Sequence, residues 1–394
     1  MNLFKISYKN IITKPLNAIL SILLLAFSVV IISLSFKFQK QVTNKIAKNT
    51  AGIDMVIGAK GSPLQLILSS VLHIDNPTGN INFDEAKKIT KNPLIKNAIP
   101  ISYGDNYKGY RIIGTTPAYK TLYGGELLEG KSAIKPLEVV IGATVAKKSN
   151  LKIGDSFVSS HGLIEEGNHH HDHHHLTVVG IYKTSHSVLD NLIVTPLETV
   201  WDMHHHHDHA SKNKEITSVL VQFKSPMGFV RIPRSINEKS SMQAALTKFE
   251  LDKLYNYTGI GVKIIQIMAI VILIISVFSI YISLYKIVKD RSYELALMRV
   301  YGANQLQLIL LVFYEGLIIS ISGYILGLIL SFAGGTYLYN YIGREYNYTI
   351  QQAFITDIDI YLFFSVLLLL SVITLFNLKS IISINIPKIL SYEK

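Results

Sequence analysis

The stretch KIVKDRSYELALMRVYG, residues 286–302, lies between two apolar runs that are each long enough to cross a bilayer. Charge this dense between two spans must lie in water, and short loops rich in Lys and Arg lie on the cytoplasmic side. Its charged residues are Lys286, Lys289, Asp290, Arg291, Glu294 and Arg299. If the stretch is helical, Leu295, Met298 and Val300 share an apolar side with Leu297 and Tyr301, and Gly302 is suited to end the helix. The pattern indicates a cytoplasmic docking element for a soluble partner.

The composition predicts a membrane protein. The chain has 394 residues, 49% of them hydrophobic, with mean hydropathy +0.32. Its apolarity is concentrated in runs of a length that suits membrane-spanning helices. We expect spans at 15–36, 262–285, 306–333 and 358–378. The first run is longer than the apolar region of a signal peptide and has no small-residue cleavage site after it, so we interpret it as an uncleaved anchor.

Lysine and arginine in the short segments predict the orientation. Three lysines precede the first span, the 286–304 loop is basic, and the tail at 379–394 carries three lysines, whereas the loop at 334–357 has only Arg344. Both termini and the 286–304 loop should therefore be cytoplasmic in a multi-pass plasma or inner membrane protein. Residues 1–14 should form a helix at the inner membrane surface, and residues 37–258 should face outward.

The outer segment predicts a mixed domain. Short β-type runs punctuated by Gly, Pro, Asn or Asp dominate from residue 111 to 223, and helical patterns occupy 82–91 and 241–254. We expect an α/β lobe from about 50–105 and 217–257, with a β-rich lobe at about 106–216 inserted into it. The predicted fold class is an α+β membrane protein with four transmembrane helices and this domain between helices 1 and 2.

Two features of the third span concern helix packing. Gly323 and Gly327 form a G-xxx-G pattern, which permits close approach of a second helix. That second helix belongs either to the same chain or to a dimer partner. Glu315 lies near the inner end of the span, where it has either a structural or a partner-facing role.

No enzyme site stands out. Residues 125–132, GELLEGKS, match the phosphate-loop pattern, but no buried strand precedes them and Pro136 would interrupt the following helix. No nucleophile–base arrangement is present, and the absence of cysteine excludes thiolate chemistry. The net charge of +11 partly reflects the orientation of the spans, so we expect no nucleic-acid partner.

All but one of the fourteen histidines fall between residues 161 and 209, mostly in two tracts. Imidazole with nearby carboxylates is a good ligand set for Zn²⁺, Ni²⁺ or Cu²⁺, and adjacent histidines in flexible loops favour metal capture over a rigid catalytic site. A solvated polar loop and a pH-responsive loop are the alternatives. The candidate ligands are His169, His170, His171, Asp172, His173, His174 and His175, and His204, His205, His206, His207, Asp208 and His209.

Four local patterns together resemble the FtsX-like permeases of the MacB type. RSYELALMRVYGA at 291–303 is similar to that family's coupling segment, and YKNIITKPL at 8–16 is similar to its N-terminal start. IPKILSYE at 386–393 resembles its closing motif. VVIG at 139–142 with LKIGD at 151–155 resembles a strand–helix–turn of its outer domain.

The resemblance implies a homodimeric permease that works with a separate cytoplasmic ATP-binding cassette ATPase. MacB itself carries a fused ATPase, and we expect this chain to depart from that pattern, because only 14 residues precede the first span. Contact with that ATPase is expected at Arg291, Glu294, Leu295, Met298, Arg299 and Gly302. A periplasmic adaptor or lipoprotein is a further expected partner beside membrane lipid, and no intrinsic cofactor is expected apart from metal on the histidine tracts. The alternatives are a transducer that activates an outer partner without transport, and a metal-binding surface protein that uses its spans as an anchor.

Overall fold

The structure is a computed structural model that describes residues 3–13, 15–50, 52–160, 170–204, 214–345 and 354–382. The chain divides into two compact units. Met1–Gln41, Gly259–Glu345 and Ile350–Lys394 form the first, here called the membrane unit. The second, here called the inserted domain, contains Val42–Thr258.

The described part of the membrane unit is helical, and the inserted domain contains both helices and strands. The helices are α1 (Leu3–Thr13), α2 (Pro15–Thr50), α3 (Pro63–Ile67), α4 (Phe83–Thr90), α5 (Pro117–Leu122), α6 (Ala143–Ser149), α7 (Leu197–His204), α8 (Met227–Lys239), α9 (Thr247–Asp290), α10 (Ser292–Val300), α11 (Gln305–Glu345) and α12 (Asp357–Ile382). The strands are β1 (Met55–Ala59), β2 (Ile81–Asn82), β3 (Ile95–Tyr107), β4 (Tyr110–Thr115), β5 (Leu127–Gly130), β6 (Glu138–Ile141), β7 (Ser156–Ser160), β8 (His170–Tyr182), β9 (Leu192–Pro196), β10 (Glu215–Ile216), β11 (Ser218–Phe223) and β12 (Met242–Leu246).

Within the described ranges, the four helices α2, α9, α11 and α12 are long and apolar enough to cross a membrane. They are apolar on every side, as expected where one face meets lipid and another meets neighbouring helices. The membrane unit buries one apolar core that includes Leu25, Val29, Leu284, Ile319 and Leu370. The sequence therefore predicts the number and order of the spans correctly.

The ends of these helices differ from the predicted span limits. Helix α11 continues to Glu345, where an outer loop was expected from residue 334, and α12 continues to Ile382, inside the expected tail. Helix α9 begins at Thr247, well before the expected span start at 262. Leaving the apolar layer changes the polarity of the side chains, but it does not end a helix unless a breaker or cap intervenes.

The inserted domain is built on one mixed sheet. Its main path runs β12-β1-β11-β3-β4-β9-β6-β8-β5, and β7 pairs with β3 and β8. Most neighbours are antiparallel, with Ile57 opposite Val219 and Ile141 opposite Ile193, whereas β4–β9 and β6–β8 are parallel. Buried Val, Ile and Leu side chains pack on both faces of the sheet, so β-branched residues dominate the runs that become strands.

The sheet extends across the expected lobe boundary, and part of one expected helix is a strand. The two lobes expected at 50–105 with 217–257 and at 106–216 share a single sheet, because β3 pairs with β11 on one side and β4 on the other. Residues 242–246, expected to be helical, form strand β12, which pairs with β1 from Met55↔Leu246 to Ala59↔Met242. Pairing with a distant strand outweighed the local helical preference of this segment.

Candidate functional site: the coupling segment

The coupling segment, residues 286–302, is a helix with defined ends. Arg291 interrupts the preceding helix α9 with φ −110° and ψ 18°, and α10 then runs from Ser292 to Val300. Gly302 has φ +95°, a conformation that side chains disfavour, and the Ala303 amide donates to the Met298 carbonyl at 2.9 Å. The predicted role of Gly302 as the helix terminator therefore matches its observed backbone.

Burial separates the expected partner-contacting residues into two groups. Leu295 is only 2% exposed and belongs to the apolar core of the membrane unit, with Met298 packed against that core. Leu295 is therefore not available to a soluble partner in this structure, because packing of the helix turned it inward. The exposed side of the segment carries Val300 and Tyr301, at 59% and 86% exposure, and the Glu294 side chain at 55%.

A polar network ties the segment to the rest of the membrane unit. Arg291 forms an ion pair with Glu294, with Nε 2.6 Å from Oε2. A second guanidinium nitrogen of Arg291 lies 3.5 Å from Oε1 of Glu315, whose side chain is fully buried. Asn10 of α1 donates to the same Glu315 oxygen at 2.6 Å, and Ser7 of α1 donates to the Leu311 carbonyl at 3.0 Å. Glu315 therefore connects α1, α11 and the start of α10, which favours its structural role.

The glycines of the third span pack inside the chain. A Cβ added at Gly323 would lie 3.1 Å from the Ile22 carbonyl oxygen of α2, and one added at Gly327 would lie 2.8 Å from Cβ of Val29. Two helices can approach this closely only where a side chain is missing. The G-xxx-G pattern therefore serves contact between α11 and α2, the intramolecular alternative of the sequence analysis.

At the other end of the spans, a buried ion pair joins α2 and α12. Lys37 Nζ lies 2.9 Å from Oδ2 of Asp359, and the two side chains are 1% and 0% exposed. Ser33 donates to the other carboxylate oxygen at 2.6 Å, and both the amide and the hydroxyl of Thr356 donate to Oδ2 at 2.8 Å. Sequence patterns did not indicate this pair, because each residue lies at the edge of an apolar run. An ionisable residue at the edge of an apolar run is the sequence signal that could have indicated a buried ion pair.

A second buried polar cluster lies in the inserted domain around His73, to which the sequence assigned no role. Nδ1 and Nε2 of His73 lie 2.7 Å and 2.8 Å from the hydroxyl oxygens of Tyr103 and Tyr119. Because the Tyr103 hydroxyl donates to the Ser69 carbonyl, it accepts from Nδ1–H, which leaves Nε2 to accept from Tyr119. Burial, with a smaller contribution from the Arg111 cation, lowers the pKa of His73 to about 3. The cluster is a neutral structural element at physiological pH.

The histidine tracts are described only in part. Residues 170–175 lie in strand β8, where the backbone of His175 pairs with Val158, so this portion is a strand and not the expected flexible loop. His204 is the last residue of α7, and His169, His205, His206, His207, Asp208 and His209 lie outside the described residues. In the parts of the chain that the structure describes, no three His, Cys, Asp or Glu residues are grouped so that they could hold a metal ion.

The phosphate-loop match at 125–132 has the wrong surroundings for a nucleotide. Strand β5 occupies its centre, and the next regular element is strand β6, not a helix. Lys131 forms an ion pair with Glu138 at 2.9 Å. The Lys131 ammonium, with backbone amides of 134 and 135, lowers the pKa of Glu138 to about 2. These contacts stabilise a turn on the surface of the domain.

Four apolar helices, with a large β-rich domain inserted between the first and the second, define the architecture of a multi-pass membrane protein. The sequence matches the MacB-like periplasmic core domain family over residues 16–228 and the FtsX-like permease C-terminal family over residues 266–386. The chain therefore belongs to the FtsX-like permeases of the MacB type. No curated protein matches the sequence.

Two solved structures are similar to part of this chain. One is the periplasmic region of MacB from Actinobacillus actinomycetemcomitans, with 15% identity, a TM-score of 0.36, and coverage of 54% of this chain and 98% of that chain. Another is the extracellular domain of the noncanonic ABC-type transporter YknZ from Gram-positive bacteria, with 13% identity, a TM-score of 0.32, and coverage of 48% and 98%.

Proposed function

We propose that this chain is the permease subunit that couples a separate cytoplasmic ABC ATPase to movement of the inserted domain, and that it acts as a homodimer. Family membership supports the coarser part, an ABC-type permease subunit. ATP hydrolysis is assigned to the partner, and export or extraction of cargo is the expected outcome. The observation that carries the proposal is the coupling segment, whose exposed side is polar and aromatic and whose buried side is fastened to two neighbouring helices.

The contacts within the membrane unit provide a route for force. A displacement of α10 acts on Arg291, which holds Glu315 of α11, and Glu315 in turn holds Asn10 of α1. Helix α11 is packed against α2 through Gly323 and Gly327. Helix α2 is continuous from Pro15 to Thr50, and a helix without a break transmits displacement along its axis better than a loop does. We propose that this route delivers the ATPase stroke to the inserted domain.

We expect Tyr301→Ala to weaken the ATPase–permease complex by about tenfold or more, because exposed aromatic side chains are frequent hot spots of interfaces.

We expect Glu294→Lys to abolish stimulation of the ATPase, since the change removes the Arg291 ion pair and places a third cation beside Arg291 and Arg299. The measurement is ATPase activity of the partner, titrated with purified permease in nanodiscs.

The matched control is Tyr337→Ala, which removes an equally aromatic and 76% exposed side chain from the far end of α11. It should leave stimulation unchanged. Membrane insertion of all variants is checked by extraction and gel filtration. Equal stimulation by wild type, Tyr301→Ala and Glu294→Lys would refute the assigned coupling surface.

We also propose that the histidine tracts bind Zn²⁺ or a similar transition ion, which would link the cargo to metal. The support is chemical, since neutral imidazoles with carboxylates at positions 172 and 208 form a suitable ligand set. Calorimetric titration of the full chain with Zn²⁺ should show binding that falls at least tenfold when the histidines of 169–175 and 204–209 become asparagine. His186→Asn, at an isolated histidine, is the control, and unchanged binding in the tract variant would contradict the proposal.

A further inference from the structure

A wide groove on the inserted domain, between the C-terminal part of α4 and helix α8, is lined by cations. Its volume is about 760 Å³, and it carries Lys88, Lys91, Arg231 and Lys239. No Asp or Glu lines it among the residues that the structure describes. This arrangement is unusual because acidic and basic side chains normally alternate on a protein surface.

The four cations have no acidic partner in the described part of the domain, whereas some other cations of the same domain do. Lys131 pairs with Glu138 and Lys183 with Glu126, both at 2.9 Å. On α8 itself, the neighbouring Arg234 forms an ion pair with Glu238 at 2.8 Å. Arg231 of the same helix lines the groove. Four cations without an acidic partner among the described residues therefore line one groove.

The spacing of the cations indicates the shape of the ligand. Arg231 and Lys239 are eight residues apart on α8, which corresponds to about 12 Å along the helix axis. They are too far apart to converge on one phosphate, but they suit several negative groups along an extended chain. The floor is formed by Ile232 and Ile236, each 3% exposed and packed into the core of the domain, so no deep slot is left for an acyl chain.

The exposed apolar residues of α8 do not form a surface continuous with the groove, because positions 227, 229 and 230 point in three directions around the helix. Met227, Phe229 and Val230 are 49%, 40% and 70% exposed on this helix. A groove lined by four cations and by no acidic residue among those described is complementary to a partner segment rich in Asp and Glu. A second copy of the same groove would repel it, since both carry the same charge.

We propose that this groove is the docking site for an extended acidic segment of a partner protein that meets the inserted domain. The site lies outside the coupling segment and does not depend on the proposed ATPase coupling. Binding comes from several ion pairs at a partly solvated surface, so it should weaken as salt screens the charges.

The test is fluorescence anisotropy of a labelled ten-residue polyglutamate peptide with the purified full chain in an uncharged detergent. The groove variant carries Lys88→Gln, Lys91→Gln, Arg231→Gln and Lys239→Gln. The matched control carries Lys60→Gln, Lys135→Gln, Lys147→Gln and Lys152→Gln, four exposed lysines elsewhere on the domain, and so has the same net charge. We expect binding at least tenfold weaker in the groove variant, about 1.4 kcal/mol in total for four pairs, and nearly unchanged in the control.

Equal weakening in the two variants would overturn the proposal, because binding would then follow net charge and not the groove. Displacement of the peptide from wild type by short-chain phosphatidylglycerol, with loss of that displacement in the groove variant, would identify a lipid headgroup as the occupant and would also overturn it. Fluorescence of Trp201, the single tryptophan, verifies folding of each variant. If the groove variant unfolds, the single changes Arg231→Gln and Lys239→Gln, both at exposed sites, replace it. Each of them must weaken binding of the peptide for the proposal to stand.

Discussion

Acidification from pH 6.5 to pH 4 is expected to destabilise the inserted domain by about 3 kcal/mol through one side chain, His73. In the folded domain its pKa is about 3, against an ordinary value of 6.5, and the first cause is burial. The unfolded chain therefore binds a proton at His73 more readily than the folded chain does. The stabilising contribution is complete above pH 6.5 and is lost as the pH falls toward 3.

The neighbours of His73 explain why the folded domain resists this proton. Nε2 accepts from the Tyr119 hydroxyl, so protonation at Nε2 would place two donors opposite each other inside the core. The cation Arg111 lies 5.0 Å from the ring centroid of Tyr103, and it opposes a second positive charge nearby. Tyr119 cannot leave its position easily, since it is fully buried.

Denaturant unfolding followed by Trp201 fluorescence measures this effect, because Trp201 lies in the inserted domain and is the single tryptophan of the chain. The reference is His73→Gln, whose amide can donate to one tyrosine and accept from the other without titrating. Between pH 6.5 and 4 the free energy of unfolding of wild type should fall by about 3 kcal/mol more than that of the variant. Parallel curves for the two proteins would show that His73 is not responsible.

Replacing Lys37 by methionine is expected to destabilise the membrane unit by about 3–5 kcal/mol, since it leaves a buried carboxylate without its cation. Asp359 would still accept hydrogen bonds from Ser33 and Thr356, but these neutral donors do not cancel its charge. The double change Lys37→Met with Asp359→Asn should recover much of the loss, because no uncompensated charge then remains in the apolar interior.

A second ion pair between the same two helices provides the control. Lys40 and Asp357 lie 3.1 Å apart, but their side chains are 61% and 78% exposed. Lys40→Met should therefore cost less than about 1 kcal/mol. Unfolding of the helices in mixed detergent micelles, followed by far-ultraviolet circular dichroism, compares the variants. Equal losses for the two lysine changes, or a double variant no better than Lys37→Met, would contradict the assigned role of the buried pair.

In the coupling segment, the local sequence pattern predicts the helix but does not predict which of its sides is buried. Charge density, periodicity and Gly302 placed the helix and its end correctly, because those signals depend on residues a few positions apart. The same periodicity put Leu295 and Tyr301 on one apolar side, whereas the structure buries the first and exposes the second. Which side of a short helix turns inward depends on the helices it packs against, and no local signal records them.

The sequence by itself determined the four spans, their order, the inserted domain and the family, since runs of apolar residues and short motifs are local properties of the chain. The tertiary structure decided the single sheet, the strand at 242–246, the ion pair of Lys37 with Asp359, the His73 cluster and the cationic groove. Each of these brings together residues from separate segments of the chain. Their contacts arise from long-range pairing and burial, and these energies exceed the weak local preferences that a sequence pattern expresses.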